Sequence, residues 1–377
     1  MLRMRNINCQ LSPVNCQLKK REFMFPVFLN IYVSMKKVLA SVFLIVGSII
    51  GAGFASGREL SLFFAEFGYN SLYFLPIVFI LFYYLFKFFL TLGGENHFEN
   101  VFDINKRTGA SIFFNIAIFA IFLIYSSAMF SGAVEVLSNN FIEVPSIVFV
   151  AIVFLLSYLV LRFGLGGLVK INAVAIPIII VLLVVYAMYS TINPITQLDY
   201  IPNSENAHIL PISIVVYVFA NILLSYFILA QAGKGLSKQQ IQKSSLISAL
   251  IVCFAILICI ICLIENGAVV MDASMPFVVL TLRLGDPFPL IFMAVLFLGI
   301  ITSLFSCLHT LNSPFKNGKR TSLWMCVVVA LISLVGFQTI VNYCYPIIGL
   351  FGVIVVCRLV FHENRAAGGP LSMNNEK

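Results

Sequence analysis

Charge is what this chain has least of. Of 377 residues only 10% are Asp, Glu, Lys or Arg, against 61% hydrophobic. A soluble domain carries about 25% charged residues, so a single water-soluble globule is excluded. Histidine is scarce as well, at four residues. His97 stands in Glu95-Asn-His97-Phe-Glu99 without a histidine partner nearby, which gives a metal-dependent membrane enzyme no visible centre. The phosphate-cradling pattern G-x-x-x-x-G-K-[ST] does not occur, which argues against ATP-driven transport by this chain alone. Ten-residue alternating segments are missing too, which argues against a membrane β-barrel. Of the nine cysteines, seven lie in apolar runs, where they act as small apolar side chains. Cys259 and Cys262 have C-x-x-C spacing but lack a second ligand pair, and no disulfide framework is implied.

What is present is hydrophobic length. A helix needs roughly 20 mostly apolar residues to cross the hydrocarbon core. Ten runs qualify: Val38–Phe67, Leu72–Leu92, Ala110–Leu137, Pro145–Leu161, Leu168–Ser190, Ile209–Gln231, Ser245–Glu265, Pro287–Thr310, Ser322–Phe337 and Thr339–Phe361. The expected fold is all-α and polytopic, with the lipid bilayer as its first partner. With a cytoplasmic N-terminus, 21 of the 23 Lys and Arg residues fall on the cytoplasmic side, and only Arg58 and Arg283 fall outside. The net charge of +8 is therefore a topological signal and does not point to nucleic acid. An even number of crossings returns the C-terminus to the cytoplasm.

The expected divisions are a cytoplasmic N-terminal segment, 1–36, five helices over 37–191, five more over 208–361, and a cytoplasmic tail, 362–377. Phe23–Val33 is apolar but too short to cross, and Met35-Lys36-Lys37 reads as a fresh start, so residues 1–34 suit an over-extended gene model. A cleaved signal is disfavoured because the apolar run continues through Leu60–Phe67.

The first run carries Gly47-Ser-Ile-Ile-Gly51-Ala-Gly53-Phe-Ala-Ser56-Gly57-Arg58-Glu59. Four glycines in mid-span each cost about 1 kcal/mol relative to alanine in a helix. Within lipid, a broken helix is tolerated only where the freed backbone groups meet protein, water or ligand. The spacing predicts two half-helices around an unwound turn, with N–H groups of the second suited to an anion and carbonyls of the first to a cation. The alternative is helix packing alone, since Gly47/Gly51 and Gly53/Gly57 are both G-x-x-x-G. The charged residues Arg58 and Glu59 favour the break.

The stretch G-S-I-I-G-A-G-F-A-S-G-R-E resembles the opening motif of the YkvI-type bacterial membrane proteins, with Arg58 where that family usually has glutamine. More distantly, it is similar to the unwound first helix of amino acid–polyamine–organocation transporters and sodium-coupled symporters, the LeuT fold. This resemblance implies an inner-membrane secondary transporter of a small amino acid, zwitterion or anion. Membrane enzyme, sensor and channel are the alternatives. Its implied cargo residues in the first run are Gly51, Ala52, Gly53, Phe54 and Ser56. It also implies a sodium ion, the one bound cofactor expected, on the Gly47, Ile50 and Gly299 carbonyls and the Thr302 and Ser303 hydroxyls.

Five spans before the polar centre Thr191–Ala207 and five after it give halves of opposite orientation, the inverted repeat of many transporters. The sixth span then partners the first. Its Tyr217, Asn221 and Ser225, four apart, share one face. A buried amide must satisfy two donors and an acceptor, so Asn221 faces cargo or another helix. No Gly or Pro interrupts this span before Gly233, which disfavours a second break. Ser127, Ser131 and Glu135 form a third-span stripe expected to line the outer vestibule. In the eighth span Thr302, Ser306 and Thr310 make a polar face beside His309, although such hydroxyls often bond their own backbone. Glu59, an acid inside a span, is the candidate for ion or proton coupling. Oligomeric state is not legible.

Overall fold

The computed structural model describes residues 33–96, 98–106, 112–141, 143–194, 208–271, 273, 275–282, 288–315 and 318–367. Residues 1–32 of the expected N-terminal segment lie outside them, as do His97, Arg107, most of the polar centre, Arg283, Lys316 and the tail from 368.

Among the described residues all regular structure is helical. The first apolar run is divided into α1 (33–49), the short α2 (Ala52–Ala55) and α3 (Arg58–Phe63). A 3-10 segment, Ala65–Phe74, leads into α4 (Leu75–Glu95), followed by α5 (Val101–Lys106) and α6 (Ile112–Asn140). The fourth and fifth runs are joined as α7 (Ser146–Ile192), which turns a corner at Gly164, where φ is 58° and ψ −160°. That backbone conformation is open to glycine at little cost and strained for other residues. The second half comprises α8 (Leu210–Ala232), α9 (Lys238–Glu265), α10 (Gly267–Val270), α11 (Pro276–Leu282), α12 (Phe288–Asn312), α13 (Lys319–Ile332) and α14 (Phe337–Ala367).

Seven of these stretches are long and apolar enough to cross a bilayer, from Ala65–Glu95 in the first half to Phe337–Glu363 at the end. Of the remaining three apolar runs, the first is broken, while Ser146–Leu159 and α13 are each 14 residues long. The arrangement is that of a multi-pass membrane protein.

Enclosure sorts the helices. The apolar windows of α8 and α12 are 78% and 72% buried, against 33–39% for α4, α6, the second arm of α7 and α14. The centre is therefore α8 and α12, with α4 and α14 packed on α8, and α6 and α7 on α12. The outer helices turn apolar stripes away from the protein. On α14, Tyr343, Ile347, Leu350 and Ile354 are all more than half exposed and follow helical spacing, a surface suited to hydrocarbon. Glycine sets the close approaches: Gly93 lies on the Ala230 backbone, and Gly349 and Gly352 on the Val216 and Phe219 carbonyls.

Candidate functional site

The helical ladder of α1 ends at Ile50, whose N–H donates to Val46 O at 2.8 Å. Gly51 N–H turns instead to Ile49 O at 2.9 Å, so the Gly47 carbonyl loses its helical donor. Ala55 N–H donates to Gly51 O at 2.8 Å and starts α2, leaving the Ala52, Gly53 and Phe54 N–H groups as its opening turn. Gly57 (φ 83°) ends this turn in the left-handed region and redirects the chain into α3. The break is a backbone feature inside the protein: Ile50, Gly51, Gly53, Phe54 and Ser56 are buried.

Helix α8 is continuous beside the break. Its polar face meets both halves of the first run. Ser225 Oγ lies 2.7 Å from Asn221 O and 3.0 Å from Ser48 O, so its single hydroxyl proton serves the α8 ladder or the end of α1. Asn221 Nδ2 donates to Tyr217 O at 3.1 Å. The Tyr217 hydroxyl is buried without a partner, and its ring packs edge-on to Phe64 and tilted against Phe63.

Glu59, on α3, returns its side chain to the break and is only 1% exposed. Its carboxyl lies on Gly53, where any Cβ would occupy the carboxyl's own space. Tyr345 from α14 and Asn221 from α8 flank it, and Tyr125 from α6 is close behind. Yet Glu59 Oε2 and the Tyr345 hydroxyl make no hydrogen bond of good geometry. Arg58, the adjacent residue, points elsewhere, donating to Asn342 Oδ1 at 3.0 Å and to the Met271 and Ala273 carbonyls at 2.9 and 3.2 Å. It thereby ties α3 to α14 and to the segment before α11. Ser56 O accepts from Phe277 N–H at 3.0 Å, and the Phe277 ring lies under Gly57, so α11 closes the same end.

On the opposite wall, α12 presents Ser303 to Gly51, at which an added Cβ would stand 2.6 Å from Ser303 Oγ. That hydroxyl is buried and unpartnered. Thr302 differs: its Oγ1 donates to Gly299 O at 2.9 Å, so two members of the sodium set are bonded to each other. Ser306 and Thr310 likewise bond back to Thr302 O and Ser306 O. His309 stacks on Phe227, at 6.1 Å between centroids.

The third-span stripe makes its described hydrogen bond within its own helix: Ser127 donates to Leu123 O at 2.8 Å. Ser131 and Glu135 are half-buried towards the end of α6 where Gly132 packs on Phe337, and no described hydrogen bond joins them to the break.

Three residues at the site are not among the sequence candidates. Tyr125 and Tyr345 escape notice because tyrosine in an apolar run reads as packing. Asn172 of α7 carries the same signal as Asn221, a lone amide in a hydrophobic run. It is fully buried, faces Gly47 (a Cβ there would sit 2.6 Å from Nδ2), and neither its Oδ1 nor its Nδ2 has a partner.

No family model matches the chain. Among curated proteins it is similar to YyaD of Bacillus subtilis, described as uncharacterised, with 27% identity over 330 residues covering 84% of this chain and 95% of that one. Among solved structures it is similar to a Na+-coupled sialic acid symporter in a substrate-bound, outward-open state. The TM-score is 0.53 at 12% identity, over 86% of this chain and 78% of that one. The likeness is one of fold.

Proposed function

We propose that the protein is a secondary transporter of a small metabolite, working by alternating access around the break between α1 and α2. The observation that carries this reading is convergence. The released Gly47 carbonyl and the opening N–H groups of α2 lie on one buried break, with the unpartnered Ser303 hydroxyl against Gly51, the Glu59 carboxyl against Gly53, and the Tyr217 and Tyr345 hydroxyls beside that carboxyl. Buried polar groups without partners are rare because each costs about 1–3 kcal/mol. Their clustering is what a site that trades partners with a cargo requires.

In this reading the chain belongs with the YkvI-type proteins and crosses the inner membrane ten times as a five-plus-five inverted repeat, both termini cytoplasmic. The broken first run, Ser146–Leu159 and α13 supply the three further crossings. The cargo, an amino acid or related zwitterion or anion, contacts Gly51–Phe54 and Ser56 of the first run and Tyr217, Asn221 and Ser225 of α8. The coupling cation is sodium, held by the Gly47 and Ile50 carbonyls and Ser303 Oγ, with Gly299 O and Thr302 Oγ1 exchanging their mutual bond for the ion. Glu59 is the alternative coupling group, through a proton. α8 and the first run rock against α6 and α12, and Arg58 fastens one end when closed.

The test is solute uptake by proteoliposomes with and without a sodium or proton gradient. Accumulation above equilibrium under either gradient supports the reading. Dissipative flux insensitive to both gradients, as through a channel, overturns it.

A further inference from the structure

Three tyrosines, Tyr125, Tyr217 and Tyr345, gather beside the Glu59 carboxyl, and their rings are linked to one another and to Phe63. Phe63 and Tyr345 have centroids 5.8 Å apart, as do Phe63 and Tyr217, and Tyr125 stands 6.0 Å from Tyr345. These residues come from α3, α6, α8 and α14, so four separate elements build one acidic aromatic box. Its floor is Gly53, the residue that leaves room for the carboxyl. Among the described residues Glu59 takes part in no salt bridge. Its Oε2 and the Tyr217 hydroxyl are buried without a hydrogen-bond partner, and the Tyr345 hydroxyl faces the carboxyl without a bond of good geometry. A buried carboxyl is stable in such a place only as the neutral acid or beside a cation, so the box suits a positively charged visitor that takes the place of the proton.

We infer that this box receives an ammonium group, carried by the cargo. An ammonium has three donors and no acceptor, which matches the carboxyl, the tyrosine oxygens and the Asn221 amide oxygen. Aromatic faces add attraction for a cation within about 6 Å. A carboxylate placed there would meet Glu59 directly, so the anionic end of any zwitterion lies away from the box, towards the α2 N–H groups and Ser303. The inference rests on the transporter reading and narrows it: the cargo is an amine, and a purely anionic cargo is excluded.

The same chemistry is offered by an organic amine and by ammonium ion, so the probes separate them. The unfolding midpoint of the purified full-length protein is measured against ethylamine and ethanol, alanine and lactate, ammonium chloride and sodium chloride. The amine of at least one organic pair is expected to raise the midpoint, and its hydroxyl counterpart is not. In Glu59→Gln the concentration needed rises roughly tenfold or more, as for loss of a charged hydrogen-bond partner. Tyr217→Phe and Tyr345→Phe keep the rings, remove the hydroxyls and weaken the response by a smaller factor. They carry the test if Glu59→Gln does not fold.

A response to amines that is unchanged in all three variants overturns the assignment, as does the absence of any amine response. Stabilisation by ammonium chloride but by no organic amine makes this an ion site and overturns the cargo assignment. So does a Glu59-dependent response to sodium chloride alone. Flux assays separate the two levels. Glu59-dependent amine binding without flux refutes the transporter and leaves the box. Flux of a lactate-type cargo unaffected by Glu59→Gln refutes the box and leaves the transporter.

Discussion

Gly53→Ala adds one methyl group at the point where the Glu59 carboxyl rests on the first run. The new Cβ would overlap Glu59 Cγ, Cδ and Oε1. All three belong to a flexible side chain, so the backbone stays and the carboxyl swings away. Overpacking costs about 1–3 kcal/mol. About 0.5–1 kcal/mol is recovered because alanine is less costly than glycine in a helix. The net loss of stability is thus between about 0 and 2.5 kcal/mol. The functional loss is larger, because a displaced carboxyl forfeits a charged hydrogen bond of about 1.5–3 kcal/mol with its cargo, roughly ten- to hundredfold in affinity.

Gly93→Ala is the control. There the added carbon would meet the Ala230 backbone, which cannot rotate aside, so α4 and α8 must part. Its cost lies at or above the ~3 kcal/mol upper end for overpacking, with thermal stability lost in proportion. Thermal unfolding and uptake kinetics, measured on both variants, separate the two effects. Transport by Gly53→Ala at the unmodified rate, with normal half-saturation, refutes the role given to the Gly53–Glu59 contact.

Asn172→Leu exchanges a buried, unpartnered amide for an apolar side chain of similar size. It is expected to raise the unfolding midpoint while lowering uptake, and a fall in the midpoint would mean that the amide is bonded in the folded protein. Ser303→Ala, which removes the free hydroxyl facing Gly51, is expected to weaken sodium dependence more than Thr302→Ala, whose hydroxyl already serves Gly299 O. Equal ion dependence in both and in the parent would refute the cation site. Arg58→Gln keeps a hydrogen-bond donor but loses the fork that holds Asn342, Met271 O and Ala273 O. It is expected to speed solvent access to Ser56, as read by modification of a cysteine placed there, and an unchanged rate would count against the clamp.

The break in the first run is legible because glycine carries a helix cost that an apolar segment has no other reason to bear, and Gly51-Ala-Gly53 locates it to within a residue or two. The face of α8 is legible from spacing: Tyr217, Asn221 and Ser225 fall four apart, and the structure turns all three inward. Enclosure is less legible. The runs forming α7 and α8 are similarly apolar, yet one borders lipid and the other fills the centre, because tertiary neighbours decide which apolar face is covered. The corner at Gly164 falls in the interval between the fourth and fifth runs, where one positive-φ glycine makes the turn without a loop. Tyr125 and Tyr345 come to the site only through the packing of α6 and α14 on the two central helices. Neighbours distant in the chain leave no local pattern. In Ser127 and Thr302 the ambiguity of membrane hydroxyls resolves towards their own helices, and in Ser303 towards the break.

The most direct measurement is the sidedness of the break. A single cysteine at Ser303, in a protein whose nine native cysteines are replaced, is probed in proteoliposomes with a membrane-impermeant thiol reagent added to one side at a time. Alternating access predicts labelling from each side, with cargo and ion shifting the two rates in opposite directions. Labelling from one side only, or rates from both sides that rise together, contradicts a transporter that turns about this break.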